Sequence, residues 1–310
     1  MRKQLNFDNF IIFDGAMGTM LQAFGMGAGE LPESYNFTHP DIIESIHSKY
    51  LEAGADVITT NTFGANRFKL KGSGFAVKDV VAQAVNIARR ASKEKWVALD
   101  IGPTGKLMKP HGDLSFEDAY TAFSEQIMAG EAAGADVILI ETMSDIYEAK
   151  AAVLAAKENS KLPVICTMTF QQDGRTLTGT DVLTMVNILQ NLGLDALGAN
   201  CSLGPKEILH LVDELVRYSK IPVIIQPNAG LPKIQDGKTV YEIEPQEFSL
   251  YAKAMAQKGV TILGGCCGTT PEHIRAVKNV LWGFSPGKRN VVDFTAASSY
   301  SKTVILTEGI

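Results

Sequence analysis

Three of the four cysteines fall where thiolate chemistry would be useful. Cys201 follows the run DALGAN (195–200), and Cys266 and Cys267 stand side by side after VTILGG (260–265). Both runs read as buried strands, so all three thiols follow strand ends. Adjacent cysteines make a strained disulfide. No C-x-x-C spacing occurs, which argues against a zinc ribbon or a thioredoxin-like redox pair. Three thiolates suit zinc better than magnesium or manganese, and three protein ligands leave the fourth tetrahedral position to a substrate. Zinc with three thiolates is a weak Lewis acid toward water, but it lowers the pKa of an incoming thiol and so provides a nucleophile at neutral pH. The chemistry expected is alkylation of a thiol rather than hydrolysis. The competing reading of a cysteine is a small buried apolar residue. For Cys166, inside PVICTMTF (163–170), that reading is preferred.

Acids also stand at strand ends. Asp14 ends FIIFD (10–14), Asp100 lies at the end of WVALDI (96–101) and Glu141 ends DVILIE (136–141). Asp14 and Glu141 suit the ammonium group of an amino acid. Its carboxylate suits backbone N–H groups of the glycine-rich loop opening at Gly15, or a helix N-terminus. The competing roles for these acids are N-capping and internal ion pairing. Asp100, Asn61 and Asn228 read as hydrogen-bonding support on the same rim, and Asn228 is taken with Asp14, Gly15 and Glu141 as a substrate contact. None of the five histidines has metal-ligand spacing. His47, His210 and His273 are expected on outward helix faces, and all five are read as non-ligands.

The elements that must position these groups repeat along the chain. The six runs above are joined by DVITT (56–60) and PVIIQP (222–227), giving eight apolar runs that read as buried parallel strands. Between them lie segments of helical period such as PDIIESIHSKYLEAG and PKEILHLVDELVRYS. Several units pass from helix to strand through a glycine, as in EAGADVITT and EAAGADVILI, where glycine suits the C′ position. Eight alternations predict an α/β fold, a (β/α)8 TIM barrel over residues 1–285, with an open doubly wound sheet as the alternative. Barrel sites form at the C-terminal strand ends, which is where these cysteines and acids lie. Residues 286–310 lack helical period and carry the apolar run TVIL. They read as a tail, either a strap over the barrel or a linker.

Composition limits the function. Hydrophobic residues make up 45% and charged residues 20% of the 310, an ordinary globular balance that excludes a disordered, collagen-like or coiled-coil chain. Thirty-four acids against 29 bases give a net charge of −5, which disfavours nucleic acid as a partner. The start is a poor signal peptide, and no run approaches the roughly 18 apolar residues of a membrane span. A cytoplasmic chain with reduced cysteines and no membrane partner is expected.

The motifs DGAMGTMLQ (14–22), NTFGAN (61–66), DIGPTG (100–105), TLTGTD (176–181), NCSLGP (200–205), PNAG (227–230) and GGCCGTTPEHI (264–274) resemble the homocysteine-binding domain of cobalamin-dependent methionine synthases, within the homocysteine S-methyltransferase family. The resemblance spans almost the whole chain, and the pairing of NCS with GGCCG is its most specific part. It implies a methyltransferase barrel with one zinc per chain, held by Cys201, Cys266 and Cys267, which act catalytically through the metal. It implies that Asp14 and Glu141 lie near the homocysteine amino group. Homocysteine, activated as a zinc thiolate, would accept a methyl group and give methionine. The donor in that family is methylcobalamin, carried on another domain or protein. Related enzymes use the same cysteines with betaine or S-methylmethionine. This chain has no D-x-H-x-x-G cobalamin motif, and SSYSKTVILTEGI resembles the segment leading toward a folate domain. The expectation is therefore a module of a larger enzyme, or a subunit that meets a corrinoid protein in trans. Two other readings compete: a phosphosugar lyase or isomerase barrel, and a non-catalytic zinc scaffold.

Overall fold

Val, Ile and Leu dominate the short runs that build the sheet, and glycine-terminated helices return the chain from one strand to the next. The computed structural model describes residues 9–27, 29–235 and 238–308. The strands are β1 (Ile11–Ile12), β2 (Val57–Thr59), β3 (Trp96–Ile101), β4 (Val137–Met143), β5 (Val164–Met168), β6 (Ala196–Asn200) and β7 (Val223–Gln226). A small antiparallel hairpin of β8 (Lys233–Gln235) and β9 (Lys238–Val240) follows, then β10 (Ile262–Leu263). The helices on the outside are α3 (Pro40–Ala53), α4 (Val77–Ser92), α5 (Phe116–Ala133), α6 (Ile146–Asn159), α7 (Val182–Leu189), α8 (Leu209–Tyr218), α9 (Pro245–Gln257) and α10 (Pro271–Val280). Two short helices, α1 (Gly18–Ala23) and α2 (Tyr35–Thr38), lie in the long loop after β1.

Eight parallel strands pair in the order β1-β10-β7-β6-β5-β4-β3-β2. A parallel bridge from Phe13 to Val57 joins β1 to β2, so the sheet closes into the predicted barrel rather than an open sheet. Strand periodicity sorts the side chains. Ile11, Phe13, Val57, Ala98, Val137, Leu139, Ile165, Ala196, Ile224 and Ile262 form one buried cluster inside the ring. A larger cluster lies between sheet and helices and includes Cys166, the internal thiol expected from its strand. Further along the inner face, two residues on in most strands and four in β6, the apolar layer gives way to Thr59, Asp100, Glu141, Thr167, Asn200 and Gln226. The change from apolar to polar on one face marks the top of the core and the floor of the site.

A repeated device sets the register at the opposite end. Asp56, Asp136 and Asp195 each precede a strand in a glycine-led turn. Their carboxylates accept the N–H of Ile12 (3.2 Å), Val97 (2.9 Å) and Val164 (2.8 Å) on the neighbouring strand. The preceding glycines end the helices in the left-handed conformation, at φ 105° for Gly54 and 95° for Gly134.

Two histidines depart from their expected placement. His47 on α3 is fully buried, because the helix turns Ile43, Ile46, His47 and Tyr50 together toward the sheet. Burial draws its pKa down to about 4. His273 on α10 is also buried. Its Nδ1 completes a capping box with Thr270, and its Nε2 meets the carbonyl of Ile243 at 2.8 Å. His210 is exposed, as expected.

The tail forms a hairpin of β11 (Phe294–Ser298) and β12 (Thr303–Glu308) laid along α7. Asn187 donates to Ser298 Oγ at 2.8 Å, and Thr303 Oγ1 donates to Thr184 Oγ1 at 2.9 Å. At its tip, Tyr300 OH donates to Asp145 Oδ2 at 2.7 Å, just beyond the end of β4. Among the described residues, no helix is long and apolar enough to cross a membrane.

Candidate metal centre and substrate cavity

Cys201 breaks the strand rule that governs the residues before it. Asn200 points inward, so a continuing strand would turn Cys201 out toward the helices. Instead Cys201 takes φ +60° and Ser202 φ +54°, left-handed values that are rare for residues with a side chain. The turn is held by Cys201 N–H donating to the carbonyl of Gln226 at 3.0 Å. On the other side, Cys266 N–H donates to the carbonyl of Pro227 at 2.9 Å, and Ala229 N–H to that of Cys267 at 2.9 Å. Gly265 precedes them because no side chain fits there: a Cβ would stand 2.4 Å from Thr269 Oγ1. That hydroxyl caps the turn by donating to the Cys266 carbonyl at 2.6 Å.

These two loops bring the Sγ atoms of Cys201, Cys266 and Cys267 within 4.8 Å of one another. Cys201 Sγ and Cys267 Sγ are 4.0 Å apart. A tetrahedral zinc site with Zn–S near 2.3 Å has sulfurs roughly 3.8 Å apart, so the triad fits a thiolate-bound zinc. Without a cation, three packed thiols cannot all ionise. Contacts with Cys201 and Cys267, together with burial, push the Cys266 thiol well above its ordinary range. Cys267, hydrogen-bonded by Cys201 and Cys266 and also by Tyr241, is drawn down to about 3. A thiolate formed in so tight a cluster favours a bound cation.

The triad forms one end of a cavity of about 310 Å³, a size suited to a small ligand. Its walls include Asp14, Gly15, Met17, Asn61, Phe63, Asp100 and Glu141. Asp14 Oδ2 accepts the N–H of Thr59 at 2.8 Å, yet burial raises its pKa to about 8. Glu141 is raised to about 7, first by burial and then by the charge on Cys267. Asp100 is raised well above its normal range by burial and by Glu141 and Asp14. Its Oδ1 has no hydrogen-bond partner among the described residues. The buried Asp14 and Asp100 and the partly exposed Glu141 share one cavity with Lys69 as the cation among its described lining residues, a site deficient in positive charge.

The cavity gathers six of the seven residues expected at the site: Cys201, Cys266, Cys267, Asp14, Gly15 and Glu141. Asn228 does not line it. Its N–H donates to the Leu203 carbonyl, and its buried Oδ1 lacks a partner among the described residues. Asn228 is thus buried next to the Pro227 carbonyl that holds Cys266, outside the residues that line the cavity. Asn61 lines the cavity and shapes the loop after β2, donating to the Pro32 carbonyl and to Asn36 Oδ1. Asn200, Thr59, Glu33 and Tyr241 escaped the sequence reading. Asn200 and Thr59 carried a signal, since each is a polar residue on the inward parity of an apolar strand. Glu33 accepts from the Gly64 N–H, and Tyr241 arrives through the β8–β9 hairpin. Neither placement follows from local pattern.

The comparisons agree with this geometry. The family model described as homocysteine S-methyltransferase matches residues 11–281. A methionine synthase of Mycobacterium tuberculosis is 36% identical over 304 residues, covering 91% of this chain and 25% of that protein. One from Mycobacterium leprae is 35% identical over 288 residues, covering 86% and 24%. The chain thus spans about a quarter of the length of these relatives. Among solved structures, the metallated homocysteine methyltransferase MmuM of Escherichia coli superposes with a TM-score of 0.75. It shares 22% identity over 87% of this chain and 96% of that one, a likeness of fold.

Proposed function

We propose that this chain, which belongs to the homocysteine S-methyltransferase family, binds homocysteine in the cavity lined by Asp14 and Glu141 and presents its sulfur for methylation to methionine. The observation that carries the reading is the convergence of three thiols within 4.8 Å at one end of a cavity whose wall holds Asp14 and Glu141. Cys201, Cys266 and Cys267 would hold one zinc ion. When bound there, zinc supplies Lewis acidity that lowers the pKa of an incoming thiol.

The remaining work falls to this chain's own groups. Burial raises the pKa values of Asp14 and Glu141, and Cys267 raises that of Glu141 further. An α-ammonium group supplies a compensating positive charge, so substrate binding draws both acids toward their ionised forms and fixes the amino end. The glycine-rich loop of Gly15, Met17, Gly18 and Thr19 lines the same cavity, and its backbone N–H groups suit the substrate carboxylate. Met17, Leu31, Pro32 and Phe63 provide an apolar wall that excludes water from the sulfur. In the transfer, the S–CH3 bond forms as the bond from methyl to donor breaks, and the electron pair leaves with the donor.

The donor proposed is methylcobalamin on another domain or protein, in keeping with relatives about four times as long. The free cysteines suit a reducing, cytoplasmic setting. A phosphosugar barrel would need cationic walls, whereas this cavity has Asp14, Glu33, Asp100 and Glu141 against Lys69. A zinc scaffold has no use for a walled cavity beside its metal. The test is single-turnover methyl transfer by the reduced, zinc-loaded chain with methylcobalamin, betaine or S-methylmethionine. Methionine formed from methylcobalamin supports the reading. Methionine formed only from a small donor overturns the donor assignment, and no methionine from any donor overturns the reading.

A further inference from the structure

The polar inner layer contains one side chain that touches both halves of the proposed site. Asn200 is 1% exposed and stands on β6 directly before Cys201. Its Oδ1 accepts from Thr142 N–H at 2.8 Å and from Thr167 Oγ1 at 2.7 Å. The backbone donor fixes which end of the carboxamide is oxygen. Nδ2 must then face the other way, where it donates to Thr142 Oγ1 at 2.8 Å and Glu141 Oε2 at 3.1 Å and lies 3.9 Å from Cys266 Sγ.

Backbone strain gathers around the same side chain. Four described non-glycine residues have positive φ, and three of them adjoin Asn200. Cys201 and Ser202 follow it in sequence, and Thr142, at φ +60°, is held by it at both N–H and Oγ1. A β-branched residue in the left-handed region is strained and persists only where neighbours enforce it. Thr142 immediately follows Glu141. Its conformation therefore decides where the Glu141 carboxylate leaves β4.

We propose that Asn200 is a positioning residue that holds the Glu141 carboxylate in place beside the cysteine triad, so that recognition of the ammonium group depends on it. The proposal rests on the homocysteine reading above. It predicts that Asn200 governs discrimination for the amino group rather than binding in general. Asn200→Asp keeps the shape and the Oδ1 acceptor but replaces the Nδ2 donor with an oxygen that repels Glu141.

The test compares binding of homocysteine and of 4-mercaptobutanoate, which lacks the amino group, to zinc-loaded wild type and Asn200→Asp by titration calorimetry. Wild type should prefer homocysteine by about tenfold or more, the scale of a hydrogen bond to a charged group. The variant should still hold one zinc but lose most of that preference, with its affinity for 4-mercaptobutanoate little changed. Full retention of the preference, or equal weakening of both ligands, would overturn the proposal. If Asn200→Asp does not fold, Thr167→Val, which removes one donor to Oδ1, carries the same test: a narrowed preference supports the proposal and an unchanged one overturns it. Absence of homocysteine binding by wild type would sink the underlying reading, and this inference with it.

Discussion

Asp14 Oδ2 accepts the backbone N–H of Thr59 at 2.8 Å, a bond that ties the end of the first barrel strand to the end of the second. It holds in place a carboxyl that burial has raised to about 8. The group is useful to a cationic ligand and costly without one. A folded pKa above the unfolded value favours folding at low pH, and the benefit is lost as pH rises from about 4 to about 8. Asp14→Asn keeps the shape without the charge. In the substrate-free protein it should raise Tm by a few degrees at pH 8, with the gain vanishing near pH 4, while weakening homocysteine binding about tenfold or more. Melting curves at the two pH values, beside a binding titration, check both halves. Equal Tm at pH 8 would contradict the buried charge.

His47 has the opposite linkage. Its folded pKa, about 4, lies below the unfolded value of 6.5, so the unfolded chain binds the extra proton between those values. Stability contributed by neutral His47 is complete above pH 6.5 and is lost as pH falls toward 4, by roughly 3 kcal/mol in all. His47→Leu should remove that share of the acid sensitivity. Denaturant unfolding at pH 7 and pH 4.5 for both proteins decides it. Identical pH slopes would mean that His47 finds a partner when protonated.

Asp136 tests the register device away from the site. It accepts Val97 N–H at 2.9 Å and pairs with Arg89 at 2.6 Å. Asp136→Ala should cost about 1–2 kcal/mol of stability by leaving a strand N–H unpaired, and zinc stoichiometry should stay at one per chain. Loss of zinc in this variant would show that the bottom of the barrel sets the geometry of its top.

Cys166 separates thiols that share a chemistry but not a place. It lies in the layer between sheet and helices, and burial pushes its pKa up to about 12. Cys166→Ala should keep the full zinc content, whereas Cys266→Ala should lose it. Zinc analysis of the two purified variants distinguishes them, and equal losses would contradict the assignment of the triad.

Much of this arrangement was legible because barrel geometry is periodic. The strand runs centred on Leu99 and Ile138 recur in the structure almost residue for residue, and Asp14, Glu141 and the three cysteines follow strand ends where the fold concentrates chemistry. What remained hidden depends on contacts between segments far apart in the chain. His47 looked like a polar position on a helix, yet the ring of helices buries it. Tyr241 reaches Cys267 only because the chain turns back through the β8–β9 hairpin just before it. Asn228 stood in a suggestive motif, and its buried Oδ1 has no partner among the described residues although the residue is not among those lining the cavity. Asn200 was visible as a polar residue at the end of an apolar strand, although its partners, Glu141 and Thr142, could be named only from the folded ring.

The central claim is that the cysteine triad holds one zinc and that the homocysteine sulfur joins the same metal. Zinc-edge X-ray absorption of the reduced, zinc-loaded protein tests it most directly. The account predicts three sulfur neighbours at about 2.3 Å with one lighter atom, changing to four sulfurs when homocysteine is added. A sulfur count that does not rise with homocysteine, in a protein shown by titration to bind it, would contradict the account.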